Sequence, residues 1–507
     1  MRTPLVVMLL LAAPVAAQPP EATPEDREVA ESETAEVVAP PRPSADDILA
    51  EFEGLVQSGG LTADEAAQRA VGTAPSMERA ALAVKVAEAG ARQAWQGFFP
   101  QLEVSARYTR LSRITQPEFG SIGFTPDQLA LARGAADAVS DPNARFLWNS
   151  LLDAFSDTEA FSFPVLLNQY GLRASLTLPV SDIFFTVLPS YRAANMAVDA
   201  QEAQRAVEER AISLRTREAY YELARARGGM IVAARTVAQT EARRDQVRAL
   251  VEGGAAARVD LLRLEAQLAQ AQVAHARAQG GATIAERALR LLMHVEGDPP
   301  IVLGEDVFTE PEPIRGSLGD LADQGLASRP ELIALRQLEA SRERSVDAER
   351  GRRYPQLAVQ ANFDYANPNN RIIPQQQEFN GTWDLSVLLR WSPNEMGVAR
   401  QRVEQARASL LQVRTDMDQL RDGVRLEVER AYEELRTAKL AFAAARTGLE
   451  AARESYRVRV EQLAAGAAVT SDVIDAETDL ARARLQAIDA AIGIRLADAR
   501  LRQAIGQ

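Results

Sequence analysis

Residues 394–463 read NEMGVARQRVEQARASLLQVRTDMDQLRDGVRLEVERAYEELRTAKLAFAAARTGLEAARESYRVRVEQL. Apolar or small residues recur at Leu410, Val413, Met417, Leu420, Val424, Val428, Ala431, Leu435, Ala438, Phe442, Ala445, Leu449, Ala452, Tyr456, Val460 and Leu463, almost always in alternating steps of three and four. That spacing keeps one narrow stripe on one side of a helix, the seam of a coiled coil. Proline is absent after Pro393. At about 1.5 Å per residue the uninterrupted rod would reach on the order of 100 Å, longer than a globular domain is wide.

Such a rod needs cover for its seam, and the sequence supplies it. The rod turns at Ala465-Gly466 and a shorter helical pattern, beginning at Val469, runs back along it, so that 394–504 reads as an antiparallel hairpin. A copy lies upstream at 190–296: a rod from about Tyr191 to Glu252 turns at Gly253-Gly254 and returns from Val259 to about His294. Its seam is weaker and rich in Ala, and Gly228-Gly229 marks a candidate kink. GAAARVDLLRLEAQLAQA from Gly254 matches GAAVTSDVIDAETDLARA from Gly466, with Asp260 and Asp472 212 positions apart. The blocks ahead of the rods also match, TAPSMERAALAVKVAEAGARQAWQGFFPQLEVSARYTRL from Thr73 against SRPELIALRQLEASRERSVDAERGRRYPQLAVQANFDYA from Ser328, with Pro75/Pro330 and Pro100/Pro355 each 255 apart. The chain is therefore a duplication, with a first unit at 47–298, a Pro- and Gly-rich irregular connector at 299–327 and a second unit at 328–507. The two offsets differ because the first unit carries a long insertion, 112–169, where the second has only a short loop.

Between helix and rod each unit holds two alternating segments. They are 101–110 and 170–179 in the first unit, 357–366 and 383–392 in the second. Leu102, Val104, Ala106 and Tyr108 share one face, with Glu103, Ser105, Arg107 and Thr109 on the other. Likewise Trp383, Leu385, Val387, Leu389 and Trp391 oppose Asp384, Ser386, Leu388 and Arg390. Period two, a length near ten residues and aromatics near the ends (Tyr108, Tyr170, Tyr365, Trp383, Trp391) form the pattern of transmembrane β-barrel strands with an aromatic girdle facing outer-membrane lipid. A half-buried sheet in a soluble domain has the same period. Four strands cannot close a barrel, and lipid tolerates no open sheet edge, so the barrel would be shared: three chains make a 12-stranded one. The expected fold is thus mainly α with a transmembrane β-barrel, four strands per chain, in a homotrimer.

The remaining features bound function. Residues 1–17 read as a secretory signal peptide, with Arg2, an apolar run and a small-residue end at Val15-Ala16-Ala17. Residues 18–46 read as a disordered, acidic, Pro-rich leader. A net charge of −13 leaves no basic stripe for nucleic acid. Cysteine is absent and the two histidines, His275 and His294, lie apart on predicted helices, so no metal, no cofactor and no enzyme activity is expected.

The duplicated Pro-to-Pro-Gln-Leu blocks, the four strands and the Gly-x5-Asp turns resemble the TolC-like outer-membrane efflux channels over about Leu61 to Gln507. The resemblance implies a trimeric barrel in the outer membrane, joined to a long periplasmic α-helical barrel closed at its inner tip. It implies a passive exit duct of a tripartite efflux or secretion system, working with a periplasmic adaptor protein and an inner-membrane transporter. The alternative is a trimeric coiled-coil adhesin anchored by a shared barrel, but strands placed in the middle of both units favour a duct. The resemblance carries over residue by residue at the tips. Asp472-Val473-Ile474-Asp475-Ala476 matches the family's aperture motif, making Asp472 and Asp475 candidates for a cation-selective ring. Asp472 also suits a helix-capping position, as does Asp260 in the other tip, where Arg263 replaces the second aspartate. Asp260 and Arg258 are candidate tip contacts. Gly254, Ala255, Ala256, Gly466, Ala467 and Ala468 are candidates for adaptor docking. The family's Tyr and Arg lock is replaced by Leu463 and Ala468. Two further departures are the insertion, expected outside the cell, and residues 181–190, which lack the glycine-containing turn found at 393–397.

Overall fold

The computed structural model describes residues 56–113, 125–156, 166–254, 256–295, 297, 300–373 and 375–507. The signal peptide and the leader lie outside the described residues. In chain order the elements are β1 (Val56–Leu61), α1 (Ala63–Thr73), α2 (Pro75–Gln96), β2 (Gln101–Arg110), α3 (Pro126–Asp137), α4 (Pro142–Ser156), β3 (Asn168–Leu178), α5 (Leu188–Glu252), α6 (Arg258–Met293), α7 (Leu318–Ser328), α8 (Pro330–Gly351), β4 (Gln356–Asn367), β5 (Asn380–Arg390), α9 (Met396–Ala464) and α10 (Thr470–Ala504). Helices dominate, and the two long rods, α5 and α9, contain 65 and 69 residues. Helix α5 runs through Gly228-Gly229 without a break.

The structure corrects the sequence reading in the connector and supplies the junction that the reading left open. Helix α7 occupies part of the stretch read as irregular connector. Its cap is Ser317, whose hydroxyl accepts the Asp320 N–H while the Asp320 carboxylate accepts the Ser317 N–H. Thr62 and Glu65 make the same reciprocal pair at the start of α1. Thr62 and Ser317 stand 255 positions apart, so the duplication begins one helix earlier than the Thr73/Ser328 match suggests. The signal was legible as Thr-x-x-Glu and Ser-x-x-Asp capping boxes. Residues 181–190, read as lacking the glycine-containing turn of the second unit, pass into the rod without one. A helical turn, Val180–Asp182, passes into a π-helical turn, Ile183–Val187, and then directly into α5. In the second unit a 3₁₀ turn, Pro393–Glu395, leads into α9 instead. The wide π turn brings the Phe185 carbonyl against the end of α8, where a Cβ on Gly351 would meet it at 1.9 Å. Only glycine fits there.

The four long strands form one antiparallel sheet in the order β2-β3-β4-β5, leaving β2 and β5 as its edges. Helices α2, α5, α8 and α9 continue from the sheet; farther along, α5 packs against α6 and α10, and α9 packs against α10. The core is three clusters strung along the length. One joins α1, α5, α6 and α10 through Tyr220, Leu223, Leu289 and Ile492. A second holds α7, α8 and α10 on α9 through Leu321, Leu332, Val424 and Leu501. The third closes the second hairpin near its tip with Leu449, Tyr456, Val473 and Leu480. Every seam position from Leu410 to Leu463 is buried or half-buried. Among the described residues no helix is long and apolar enough to cross a membrane.

Candidate duct surface and hairpin tips

The register of the sheet converts alternation within each strand into two continuous faces. Leu102 faces Leu176, which faces Ala361, which faces Leu385; Val104, Ala174, Phe363 and Trp383 form the next row. Leu178, Val359 and Val387 extend the face toward the helices. This face is exposed in the single chain, with Leu102, Val104, Leu385, Val387 and Leu389 each more than 60% accessible. An apolar area of this extent is a surface awaiting cover. The opposite face is polar and internally bonded. The Arg173 guanidinium donates to Asp364, Ser175 donates to Asn362, and Asn362 donates to Asp384, which also accepts from Arg371 of the β4–β5 loop.

Aromatic side chains mark both ends of the apolar face. At the end away from the helices, Tyr108 and Tyr170 stand with ring centres 5.0 Å apart, and Phe379 bridges Tyr170 to Tyr365 at 6.1 and 5.3 Å. Trp383 sits one row inward, opposite Phe363, and Trp391 lies just past β5 at the helical end. Trp391 has companions there that sequence reasoning missed: the exposed rings of Trp95, Phe99, Phe184, Phe185 and Tyr354. They lie outside the strands, in the last turn of α2, in the π-helical turn and in the bends that follow α2 and α8, so strand periodicity could not reveal them.

At the other extreme are the hairpin tips. Gly254 and Gly466 both take left-handed backbone conformations, with φ of 75° and 70°. In each tip a following N–H bonds back to the end of the rod, Ala256 to the Leu250 carbonyl at 3.2 Å and Ala467 to the Gln462 carbonyl at 2.8 Å. This is helix termination by a left-handed glycine. Ala255 lies outside the described residues. Ala467 is exposed and Ala256 and Ala468 are half-buried. Asp472 serves as a cap, its carboxylate accepting the Val469 N–H at 3.4 Å, whereas Asp475 is exposed one turn on. Asp260 faces Arg263 of its own helix at 3.8 Å. Arg258 is exposed and forms no ion pair among the described residues.

Just inside the second tip lies a buried polar cluster that the sequence reading did not single out. Glu477 of α10 is buried beside Thr240 of α5, Arg243 and Arg484, its Oε1 without a hydrogen-bond partner, while the Thr240 hydroxyl donates to the Thr236 carbonyl at 2.8 Å and Arg243 donates to the Tyr456 hydroxyl of α9 at 3.4 Å. Burial pushes the Glu477 carboxyl up, against the pull of the two guanidiniums and the nearby Thr240 hydroxyl. Burial, with Arg453 beside it, brings Arg484 down to about 10. A lone Glu at a core position of a helical seam was the available clue. Of the two histidines, His294 takes the left-handed cap of α6, and His275 lies within α6. Among the described residues no group of three or more His, Asp or Glu could hold a metal ion.

A sheet with one apolar and one polar face, rimmed by aromatics and continued by long helical hairpins, defines a channel-forming class. The family model for outer membrane efflux protein matches residues 66–293 and 321–507, and the chain belongs to this family, the TolC-like channels. The outer membrane efflux protein BepC of Brucella suis biovar 1 is 25% identical over 182 residues, 36% of this chain. That match spans only 39% of the curated relative's length. Crystal structures of CusC share the fold at a TM-score of 0.69 and 14% identity, covering 89% of this chain and 93% of theirs. The open state of the Neisseria gonorrhoeae MtrE channel gives 0.68 at 16% identity, covering 88% of each chain. The Campylobacter jejuni CmeC channel gives 0.64 at 14%, covering 91% of this chain and 86% of that one.

Proposed function

We propose that three copies close a 12-stranded barrel in the outer membrane and a helical tunnel in the periplasm, forming a passive exit duct that works with a periplasmic adaptor and an inner-membrane transporter. The observation that carries this reading is the sheet: one apolar and largely exposed face, and two edge strands, β2 and β5, each paired on one side only among the described residues. Pairing β5 of one copy with β2 of the next removes both edges. The polar face then lines the lumen and the insertion at 112–169 lies outside the cell. The adaptor docks on the small-residue tips, Gly254 to Ala256 and Gly466 to Ala468, with Arg258 and Asp260 at the rim of the first. Asp475, exposed beside the capping Asp472, completes a carboxylate ring at the periplasmic mouth, where crowded negative charge attracts cations.

Mass measurement in detergent tests the assembly: a trimer is expected, and a monodisperse monomer overturns it. In planar bilayers the Asp472→Ala, Asp475→Ala double variant is expected to lose cation selectivity while remaining trimeric. Selectivity unchanged in that variant places the aperture elsewhere. Ala256→Trp and Ala468→Trp are each expected to abolish export in cells without loss of trimer, and full export in both removes the tips as the docking site.

A further inference from the structure

Where the sheet meets the helices, a cavity of about 430 Å³ opens between the end of α8, the last residues of β5 and the first turns of α9. Four guanidinium groups line it, those of Arg352, Arg353, Arg390 and Arg402, against one carboxylate, Glu395. Arg352 is matched by Glu349 at 3.3 Å. Among the described residues the other three arginines form no ion pair, and the Arg353 Nε is buried without a hydrogen-bond partner. The site therefore holds a surplus of positive charge and an unmet donor. The N-terminus of a 69-residue helix adds its own partial positive charge there.

The rim is of the opposite character. Tyr354 and Trp391 are each 55% exposed, and Met396 and Val398 are exposed beside them. All four lie at the level where the apolar face of the sheet ends, just past the last apolar pair, Leu357 with Leu389. A soluble anion would need the arginines and have no use for that rim. Phosphate oxygens suit forked guanidinium donors, and Tyr and Trp favour the boundary between hydrocarbon and water.

We propose that this cavity binds the phosphodiester headgroup of an anionic glycerophospholipid, with Arg353 and Arg402 on the phosphate and Tyr354 and Trp391 against the upper acyl chain, Arg390 adding positive charge from the lumenal face. The lipid is a component of the inner leaflet of the outer membrane. The site rests on the barrel reading above, since only that reading puts the end of the sheet at a membrane surface.

Native mass spectrometry of the full-length protein in detergent tests it, using phosphatidylglycerol, zwitterionic phosphatidylcholine and inorganic phosphate as separate probes. The expected result is retention of phosphatidylglycerol about tenfold or more over phosphatidylcholine, no displacement by inorganic phosphate, and loss of the preference in Arg353→Gln with Arg402→Gln. Arg400→Gln, on the same helix but outside the cavity, is expected to keep it. No preference in the unaltered protein, or a preference that survives the double variant, overturns the proposal. Full displacement by inorganic phosphate also overturns it, by making the cavity a soluble-anion site. A carboxylate from a neighbouring copy filling the cavity would appear as exclusion of every probe from the trimer, which overturns it as well. The same spectra report the oligomeric state, so a failure of the trimeric reading shows as monomer whatever the lipid does.

Discussion

Helices α6 and α10 are copies, equal in place and nearly equal in length, yet their surroundings differ. Helix α10 is clasped between α9 and α5, and buries Val473, Leu480, Ile488, Ile492 and Leu501. Helix α6 rests on α5 and, near its end, α1; its buried side chains are confined to one side, from Leu264 to Met293. On its other side Val259, Leu262, Val273, Ile284 and Leu291 are exposed. Those positions are separated by three, eleven, eleven and seven residues, each close to a whole number of helical turns, so they form a second stripe. Helix α9 also carries apolar residues away from its seam, at Leu411, Leu426 and Leu440. A helix with two apolar stripes has two packing partners, and one of those of α6 is absent from the chain. The second unit covers one flank of the first within the chain, and on the trimeric reading proposed above a neighbouring copy covers the other.

The largest expected effect comes from charging that flank. Val273→Glu with Ile284→Glu would place carboxylates where apolar contact is required, at every interface of the ring at once. Each substitution forfeits about 1.5–3 kcal/mol of burial and adds the cost of desolvating a charge. Detergent-solubilised protein is expected to become monomeric. A trimer of normal mass would break the comparison, because the second stripe would then have no occupant.

A paired truncation sharpens it. Ile492 is fully buried whereas Ile284 is 70% exposed. Ile492→Ala should cost about 2–5 kcal/mol. In an isolated chain Ile284→Ala would fall within about 0.5 kcal/mol of zero. In the assembly both should lower the thermal midpoint, the second in a manner that depends on protein concentration. An Ile284→Ala variant indistinguishable from the unaltered protein would assign the exposed stripe to solvent.

How much of this was legible follows from the period of each element. The seam of α9, the four strands and the duplicated order could be read because repeats of 3.5 and 2 survive in sequence without knowledge of partners. The resemblance was readable from the same duplicated blocks. Helix α7 was missed because two prolines, Pro311 and Pro313, and Gly316 dominate the reading of its approach, although Ser317 and Asp320 announce a cap. The aromatics at the helical end were missed because Trp95 closes α2, Phe185 stands in the π turn, and Phe99 and Tyr354 come from bends, all beyond the reach of the strand period. Glu477 was hidden for a different reason: a charged residue on a helix reads as solvated until its neighbours, contributed by α5 more than two hundred residues away, are in place.

The third expected effect lies where α5, α6 and the connector meet. Glu286 of α6 accepts from Arg227 at 2.9 Å, from Arg290, and from the Ile301 N–H at 3.2 Å. Burial works to raise its pKa, but these donors overcome it and hold the carboxyl below the usual value. A lowered folded-state pKa means that the contribution is present above the ordinary Glu range and is lost as pH falls through it, since the native state binds fewer protons than the unfolded one. Glu286→Gln should therefore cost about 2 kcal/mol at neutral pH, with the gap to the unaltered protein narrowing on acidification. A gap that stays constant with pH would assign the loss to packing. Glu477, whose carboxyl is pushed up, provides the opposite sign in the second hairpin: its contribution improves as pH falls toward the carboxylate range.

The smallest effect is expected where the two units are most alike. Gly254 and Gly466 have nearly the same left-handed φ, and a Cβ on either would meet nothing within 4 Å. Space is therefore not what selects glycine at the tips; the backbone conformation is. Alanine in that region costs about 1 kcal/mol, and asparagine, which tolerates it through local hydrogen bonding, less. Gly254→Ala and Gly466→Ala should each lower the thermal midpoint by an equal small amount, and Gly466→Asn by less than Gly466→Ala. If Ala and Asn were equally harmful at Gly466 but not at Gly254, side-chain bulk would be the cause. The second tip would then have a close neighbour that the first lacks, as a tip turned toward the axis of a closed ring must.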